Sequence, residues 1–515
     1  MSERGSSKLS DRFLSFVERV GNRLPDPVTL FALLAAGVVL LSALVSVLGI
    51  SLTTPSNGER VTAVNLLTIE GLRRMLTEAI DNFAAFPPLA LVLVTMIGVG
   101  VAERSGFVSQ GLRLLVLSFP RSLLTAAVVF AGIMSSIAAD AGYVVLTPLG
   151  ALLFASVGRH PLAGLAAAFA GVSAGYSANL LLTTLDPLLS GLSTVSAQLI
   201  DPDYVVRPTA NYYFMIASTF FLTAVGTFIN NRFVEPRLGE WKPPLGFEEE
   251  FGETLDRSIS PREKKALLTS SVVFLGLLAI IGLLFIPENG LFRTTEQGAK
   301  PFFDSLVMLM MILFLAVGLT YGWMVGSIRN DKDAVSMMSA SLGTMGGYIV
   351  LAFFAAQFVA YFQWSNLGLM VAVGGADVLD KVGLTGWPLV VLFVLMAAVI
   401  NLFIGSASAK WSVMAPVFVP MLMLLGYSPE LAQLAYRVGD STTNIITPLM
   451  PYFPVIICFA KRYVPDAGMG TLFSAMLPYS IGFTILWVIM MMVWVSLGIP
   501  IGPDAPIHYN SGVSL

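Results

Sequence analysis

Gly175-Tyr176-Ser177-Ala178-Asn179-Leu180-Leu181-Leu182-Thr183-Thr184-Leu185-Asp186-Pro187 interrupts one apolar segment of the chain. About half the chain later, Gly439-Asp440-Ser441-Thr442-Thr443-Asn444-Ile445-Ile446-Thr447-Pro448 interrupts another. Each has Gly, Ser two positions on, then Asn followed by aliphatics and Thr, with an Asp alongside. Paired interruptions of hydrophobic segments point to the binding site of a secondary transporter, because backbone freed from helix can coordinate a solute at membrane depth.

The surrounding composition demands a membrane. Of 515 residues, 56% are hydrophobic and 12% charged, which excludes an ordinary soluble globule. Apolar runs of about 20 residues, enough to span a hydrocarbon core of roughly 30 Å, recur along the chain. The pattern predicts an all-α membrane protein with about nine crossings, near 28–52, 86–103, 161–186, 211–233, 265–287, 302–327, 338–362, 431–460 and 472–498. Two re-entrant helical hairpins are expected at 122–158 and 386–427. The organisation is then a cytoplasmic segment 1–27, a first helix and first repeat 28–235, a cytoplasmic loop 236–264, linking helices 265–337, a second repeat 338–498 and an extracytoplasmic tail 499–515.

Charge sets the orientation. Arg4, Lys8, Arg12, Arg19 and Arg23 put the N-terminus in the cytoplasm, and Arg237, Lys242, Arg257, Arg262, Lys264 and Lys265 do the same for 236–264. Arg329, Lys332, Lys461 and Arg462 also fall inside, and the C-terminus falls outside. The outer loop 53–85, with Arg60, Arg73 and Arg74, is the exception. Glu248-Glu249-Glu250-Phe251-Gly252-Glu253 reads as a solvated linker. The single cysteine, Cys458, reads as a buried inert thiol. Two histidines, His160 and His508, do not suffice for a histidine metal site or proton relay.

The halves repeat with inverted topology. Tyr143 and Trp411, like Pro148 and Pro416, lie 268 positions apart, whereas Asn179 and Asn444 lie 265 apart. The crossing at 86–103 runs inward and its counterpart at 338–362 outward, as in many alternating-access transporters. Ionisable groups in such spans are costly and mark function. Asp186 and Asp440 are the candidate coupling carboxylates, and Asp140 is a weaker one. Arg437 and Lys410 offer charge to an anionic solute, although Arg437 also lies three residues from Asp440, close enough to pair along one helix face. Asn179, Asn444, Ser177, Ser408 and Thr447 supply hydrogen bonds, and Trp411 an aromatic face.

Leu181-Leu182-Thr183-Thr184-Leu185-Asp186-Pro187, Ser406-Ala407-Ser408-Ala409-Lys410-Trp411-Ser412 and Tyr436-Arg437-Val438-Gly439-Asp440-Ser441-Thr442-Thr443-Asn444 carry a resemblance to the p-aminobenzoyl-glutamate transporter (AbgT) family of bacterial inner-membrane proteins. It implies a bowl-shaped homodimer with nine transmembrane helices and two hairpins per subunit. It implies import of p-aminobenzoyl-glutamate or export of sulfonamide antimetabolites, driven by an Na+ or H+ gradient, with no tightly bound cofactor. By motif the important positions are Asp186, Ser408, Trp411, Arg437, Asp440 and Pro448. Sodium near the hairpin tips is a further implication, with Asn179, Asn401 and Asp440 as ligands. In such a site Arg437 and Lys410 would hold the solute's carboxylates and Trp411 would stack on its ring.

Three rivals remain at this point. A sodium–dicarboxylate carrier of related hairpin fold shares the broken helices. A passive channel needs no coupling ion. An intramembrane aspartyl protease needs two carboxylates sharing a proton at close range, for which Asp186 and Asp440 are the candidates.

Overall fold

The computed structural model describes residues 25–53, 60–138, 142–241, 259–296, 298–447, 450 and 452–509. The expectations for Asp140, Pro448 and the acidic 248–253 stretch lie outside these residues. The described chain is mainly helical, with two short antiparallel strands, Ser51–Thr53 and Arg60–Thr62.

Among the described residues, eight helices are long and apolar enough to cross a membrane. Seven fall on expected crossings: α1 (Pro27–Val47), α2 (Pro87–Arg104), α8 (Tyr212–Ile229, continuing to Leu238), α9 (Pro261–Phe285), α10 (Leu306–Val325), α12 (Gly346–Trp364) and α18 (Met469–Ser496). The eighth, α15 (Ala407–Leu424), lies in the second expected hairpin. Its partner there is α14 (Gly386–Asn401), and the first hairpin range holds α4 (Leu124–Met134) and α5 (Thr147–Ser156). Further helices lie wholly or mostly outside the expected crossings, among them α3 (Phe107–Leu117), α11 (Asp331–Gly343) and α13 (Leu367–Lys381). The apolar helix formed by Phe107–Leu117 bends by 113° from the one beginning at Arg121.

The expected crossings 161–186 and 431–460 are each two helices. The first is α6 (Pro161–Phe169, with a π turn to Ala174) and α7 (Leu185–Ala197). It therefore runs eleven residues past the expected end at 186. Side chains that satisfy backbone groups explain the break. Asn179 Oδ1 accepts from Leu181 N at 2.9 Å, and Asp186 Oδ2 accepts from Thr183 N at 2.6 Å. Such bonds offer the backbone an alternative to helix. Pro187 then sits in the first turn of α7, where its missing N–H costs nothing. The second pair is α16 (Pro429–Thr442) and α17 (Phe453–Tyr463). Ser428 caps α16 by accepting from Leu431 N, with Pro429 again in the first turn.

Close backbone approach brings the broken helices against the hairpin arms. A Cβ on Gly439 of α16 would collide with the Val394 carbonyl oxygen of α14. Gly439→Ala is therefore expected to force α14 and α16 apart. Overpacking of this kind costs about 1–3 kcal/mol. A lowered melting temperature together with several-fold slower solute uptake is the expected result. Gly98 makes the equivalent contact between α2 and α10, where a Cβ would collide with the Met311 carbonyl oxygen.

Residues 506–509 pack against the turn that precedes α16. Ser428 Oγ donates to Pro506 O at 2.6 Å, and Tyr509 N donates to Gly426 O at 3.0 Å. Burial and the neighbouring Asp201 carboxylate push the Tyr509 hydroxyl up from its ordinary range. In the basic 53–85 stretch, Arg74 pairs with Glu78 at 3.0 Å and lies over the Trp364 ring. Its charge is thus balanced locally. One expectation is corrected: Cys458 is exposed. An apolar sequence surround does not separate a core position from an exposed one in a chain of this composition.

Candidate functional site

Helix α16 is buried along its whole length, an unusual place for so polar a helix. Glu430, Gln433, Arg437 and Asp440 recur at three- and four-residue spacing, so they form one stripe. Each finds a partner on another element. Tyr204 Oη donates to Glu430 Oε2 at 2.8 Å, and Gln433 accepts from Ser193 Oγ at 2.7 Å. Arg437 Nη1 donates to Asp186 Oδ1 at 2.6 Å, and Asp440 pairs with Lys410.

The two ion pairs are the centre of the site. Asp186 and Lys410 have no exposure, and Arg437 and Asp440 have 1% each. Arg437 also reaches Ser177 O at 3.4 Å. Behind Lys410, Asn401 Oδ1 accepts from the ammonium. The Asn401 amide nitrogen donates to Asp440 O at 2.5 Å, Asn444 Oδ1 at 2.8 Å and Thr443 Oγ1 at 2.9 Å. The Tyr436 hydroxyl lies 3.1 Å from Asp440 Oδ1 and 2.6 Å from Ala407 O. Taking charges out of water is expensive, and only close pairing with further hydrogen bonds repays it. The Lys410–Asp440 pair meets that condition; in the Arg437–Asp186 pair the buried Arg437 Nε has no partner among the described residues. Both join different parts of the fold, Arg437 of α16 to Asp186 of α7 and Lys410 of α15 to Asp440 of α16.

The anticipated pairing of Arg437 with Asp440 along one helix is not what the structure adopts. Arg437 instead reaches Asp186, and Asp440 is left to Lys410. Asp186 and Asp440 therefore each bond a cation of their own, and neither bonds the other.

A cavity of about 400 Å³ lies beside these pairs. Its wall includes Tyr143, Tyr176, Tyr348 and Tyr452, with Thr184 and Leu185 at the start of α7 and Gly405, Ser406, Ala407 and Ser408 at the start of α15. Two helix N-termini thus border one cavity, where a helix dipole places partial positive charge. At α7 the first amides are already used, Leu185 N donating to Thr183 Oγ1 and Asp186 N to Thr183 O, both at 3.3 Å, and Pro187 has none. Of the expected site residues, Ser408 and Asn444 line the cavity. Asp186, Lys410, Arg437 and Asp440 are held behind it in their pairs. Trp411 is fully buried, stacked on Tyr436 with centroids 4.4 Å apart, and its indole N–H donates to Ser193 Oγ at 3.0 Å. Asn179 belongs to the other half: its amide nitrogen donates to Ser136 Oγ at 2.9 Å and to the Ile133 and Met134 carbonyls at 3.4 Å.

For a small hard cation, oxygen donors are the requirement. Around Asn179 three acceptor oxygens converge from Ile133, Met134 and Ser136. Around Asn401 and Asp440 the Lys410 ammonium already stands where a cation would bind, so a sodium ion there must displace it. The three candidate ligands are therefore divided between the two halves.

Sequence reasoning missed Tyr176, Tyr348 and Tyr452 in the cavity wall and the buried hydrogen-bond chain from Ser193 to Gln433 and on to Asn211, whose Oδ1 accepts from Gln433 Nε2 at 2.9 Å. That hydrogen-bond chain had a visible signal, the polar stripe of α16 in a region otherwise apolar. The tyrosines had none, since their neighbours come from distant parts of the chain.

Residues 12–509 match the AbgT putative transporter family. The chain is 40% identical over 506 residues to the p-aminobenzoyl-glutamate transport protein of Escherichia coli K12, covering 98% of each. Two solved structures are similar. The YdaH transporter of Alcanivorax borkumensis shares 45% identity at a TM-score of 0.87, over 93% of this chain and all of that one. MtrF of Neisseria gonorrhoeae, described with a class of antimetabolite efflux pumps, shares 48% at 0.90, over 96% of this chain and all of that one.

Proposed function

The chain belongs to the AbgT family, multi-pass membrane transporters and not enzymes, and on that premise we propose that it moves p-aminobenzoyl-glutamate or sulfonamide-type antimetabolites under an ion gradient. The observation that carries the coupled mechanism is the juxtaposition of the cavity with two fully buried ion pairs on the broken helices. A passive pore has no need of charges held out of water, each at a cost of several kcal/mol before pairing.

In this reading the solute occupies the cavity. Its carboxylates are met by the N-terminal end of α15 and by the Ser406, Ser408 and Asn444 side chains, because the nearby cations are already committed to Asp186 and Asp440. Asp186, Arg437, Lys410 and Asp440 act behind the wall. They tie α7, α15 and α16 together, and a change in either pair alters how the hairpin arm α15 sits against the broken helices. The coupling ion is Na+ or H+. The helix pairs α4/α5 and α14/α15 act as hairpins entering from opposite sides. The protein lies in a bacterial inner membrane as a homodimer, N-terminus inside and C-terminus outside.

Competition for uptake tests the solute. In proteoliposomes of the purified protein, uptake of labelled p-aminobenzoyl-glutamate is expected, with competition by the unlabelled compound and by a sulfonamide but not by succinate. Competition by succinate without competition by p-aminobenzoyl-glutamate would transfer the protein to the dicarboxylate carriers.

A further inference from the structure

The repeat places an aromatic residue at the same point of each hairpin range, Tyr143 and Trp411. The structure uses the two differently. Trp411 is withdrawn: it has no exposure, Tyr436 covers its face and Ser193 Oγ accepts its indole N–H. Tyr143 is in the cavity wall, and its ring stacks on Tyr452, also in the wall, with centroids 4.4 Å apart and planes 5° from parallel. Phe169 meets the Tyr143 ring edge-on at 6.2 Å, which fixes its orientation. Tyr143 belongs to the first repeat and Tyr452 to the second, so the stack bridges the halves across the cavity.

We propose that Tyr143 and Tyr452 determine specificity for the solute's aromatic ring, which takes the place of one tyrosine on the face of the other. This rests on the transport reading above and deepens it. An aromatic pair holds its partner in a defined offset geometry and gains beyond area burial alone. A ring entering the cavity exchanges one stack for another at little net cost. An aliphatic solute of the same charge parts the tyrosines and leaves the lost stack unreplaced. Selection for an aryl solute then follows without any cation in the cavity wall, and it operates equally on an aryl amide and on a sulfonamide ring.

The test compares two solutes that share a dicarboxylate and differ in the ring, p-aminobenzoyl-glutamate and N-acetyl-glutamate, as competitors for uptake of the former. The ratio of their half-inhibitory concentrations is read in the wild type and in Tyr143→Leu, Tyr452→Leu and Tyr452→Phe. A ratio does not depend on how much of a variant folds. The leucine variants are expected to lose preference for the ring by a factor of roughly 3 to 10, and Tyr452→Phe to keep it. Wild-type uptake with an unchanged ratio in both leucine variants overturns the proposal and leaves the transport reading standing. Absence of wild-type uptake removes that reading and this proposal with it.

Discussion

Asp186→Asn is expected to abolish gradient-driven uptake and to lower the melting temperature of the purified protein. The asparagine retains an oxygen that can accept from Thr183 N, now 2.6 Å from Asp186 Oδ2, so the local turn survives. What it removes is the charge facing Arg437 Nη1. A buried guanidinium is then left without its counter-ion, a loss of about 3–5 kcal/mol in comparable pairs. Arg437→Met produces the mirror defect, an unpaired carboxylate with no exposure. The double variant Asp186→Asn/Arg437→Met leaves no unpaired charge at this position. It is expected to regain most of the lost thermal stability while remaining inactive. Stability is read by thermal unfolding in detergent and activity by uptake in proteoliposomes. A double variant as unstable as either single one would show that the pair's worth lies in packing and not in charge.

The second pair gives the second large effect. Lys410→Met leaves Asp440 with the Tyr436 hydroxyl but no cation, and Asp440→Asn leaves the ammonium with neutral acceptors such as Asn401 Oδ1 and no counter-ion. Each single variant is expected to lose about 3–5 kcal/mol of stability and its uptake. Neither residue lines the cavity. In the neutral double variant Lys410→Met/Asp440→Asn, solute binding measured by calorimetry is therefore expected to persist within about tenfold, a change of about 1.4 kcal/mol. Accumulation against a gradient is expected to be lost. Loss of binding together with accumulation would place the pair in the solute site and contradict the division drawn here.

The parts of this fold legible in the sequence are those set by local chemistry. An apolar run long enough to span declares itself, and seven of the long helices fall where such runs predict them. The breaks were legible because Asn179, Thr183, Asp186 and Pro187 each interfere with helix within a few residues. Their extent was less so: α7 continues to Ala197 because Pro187 starts a new helix instead of ending one. Pairing across the chain was not legible. Arg437 meets Asp186, 251 positions away, although Asp440 is three positions off on its own helix. Local spacing says which residues are able to meet, and tertiary packing decides which do. Burial is also poorly read in a membrane chain. Cys458 and Trp411 both sit in apolar surroundings, yet one is exposed and the other fully buried. Lipid and core look alike to composition, so only contacts between helices tell them apart.

The most direct test of coupled transport is accumulation of labelled p-aminobenzoyl-glutamate in proteoliposomes under an imposed sodium gradient and, separately, an imposed proton gradient. The account expects accumulation above equilibrium under one of the two, collapse when that gradient is dissipated, and none with Asp186→Asn. Solute that merely equilibrates under both gradients, at the same rate in wild type and variant, would contradict it.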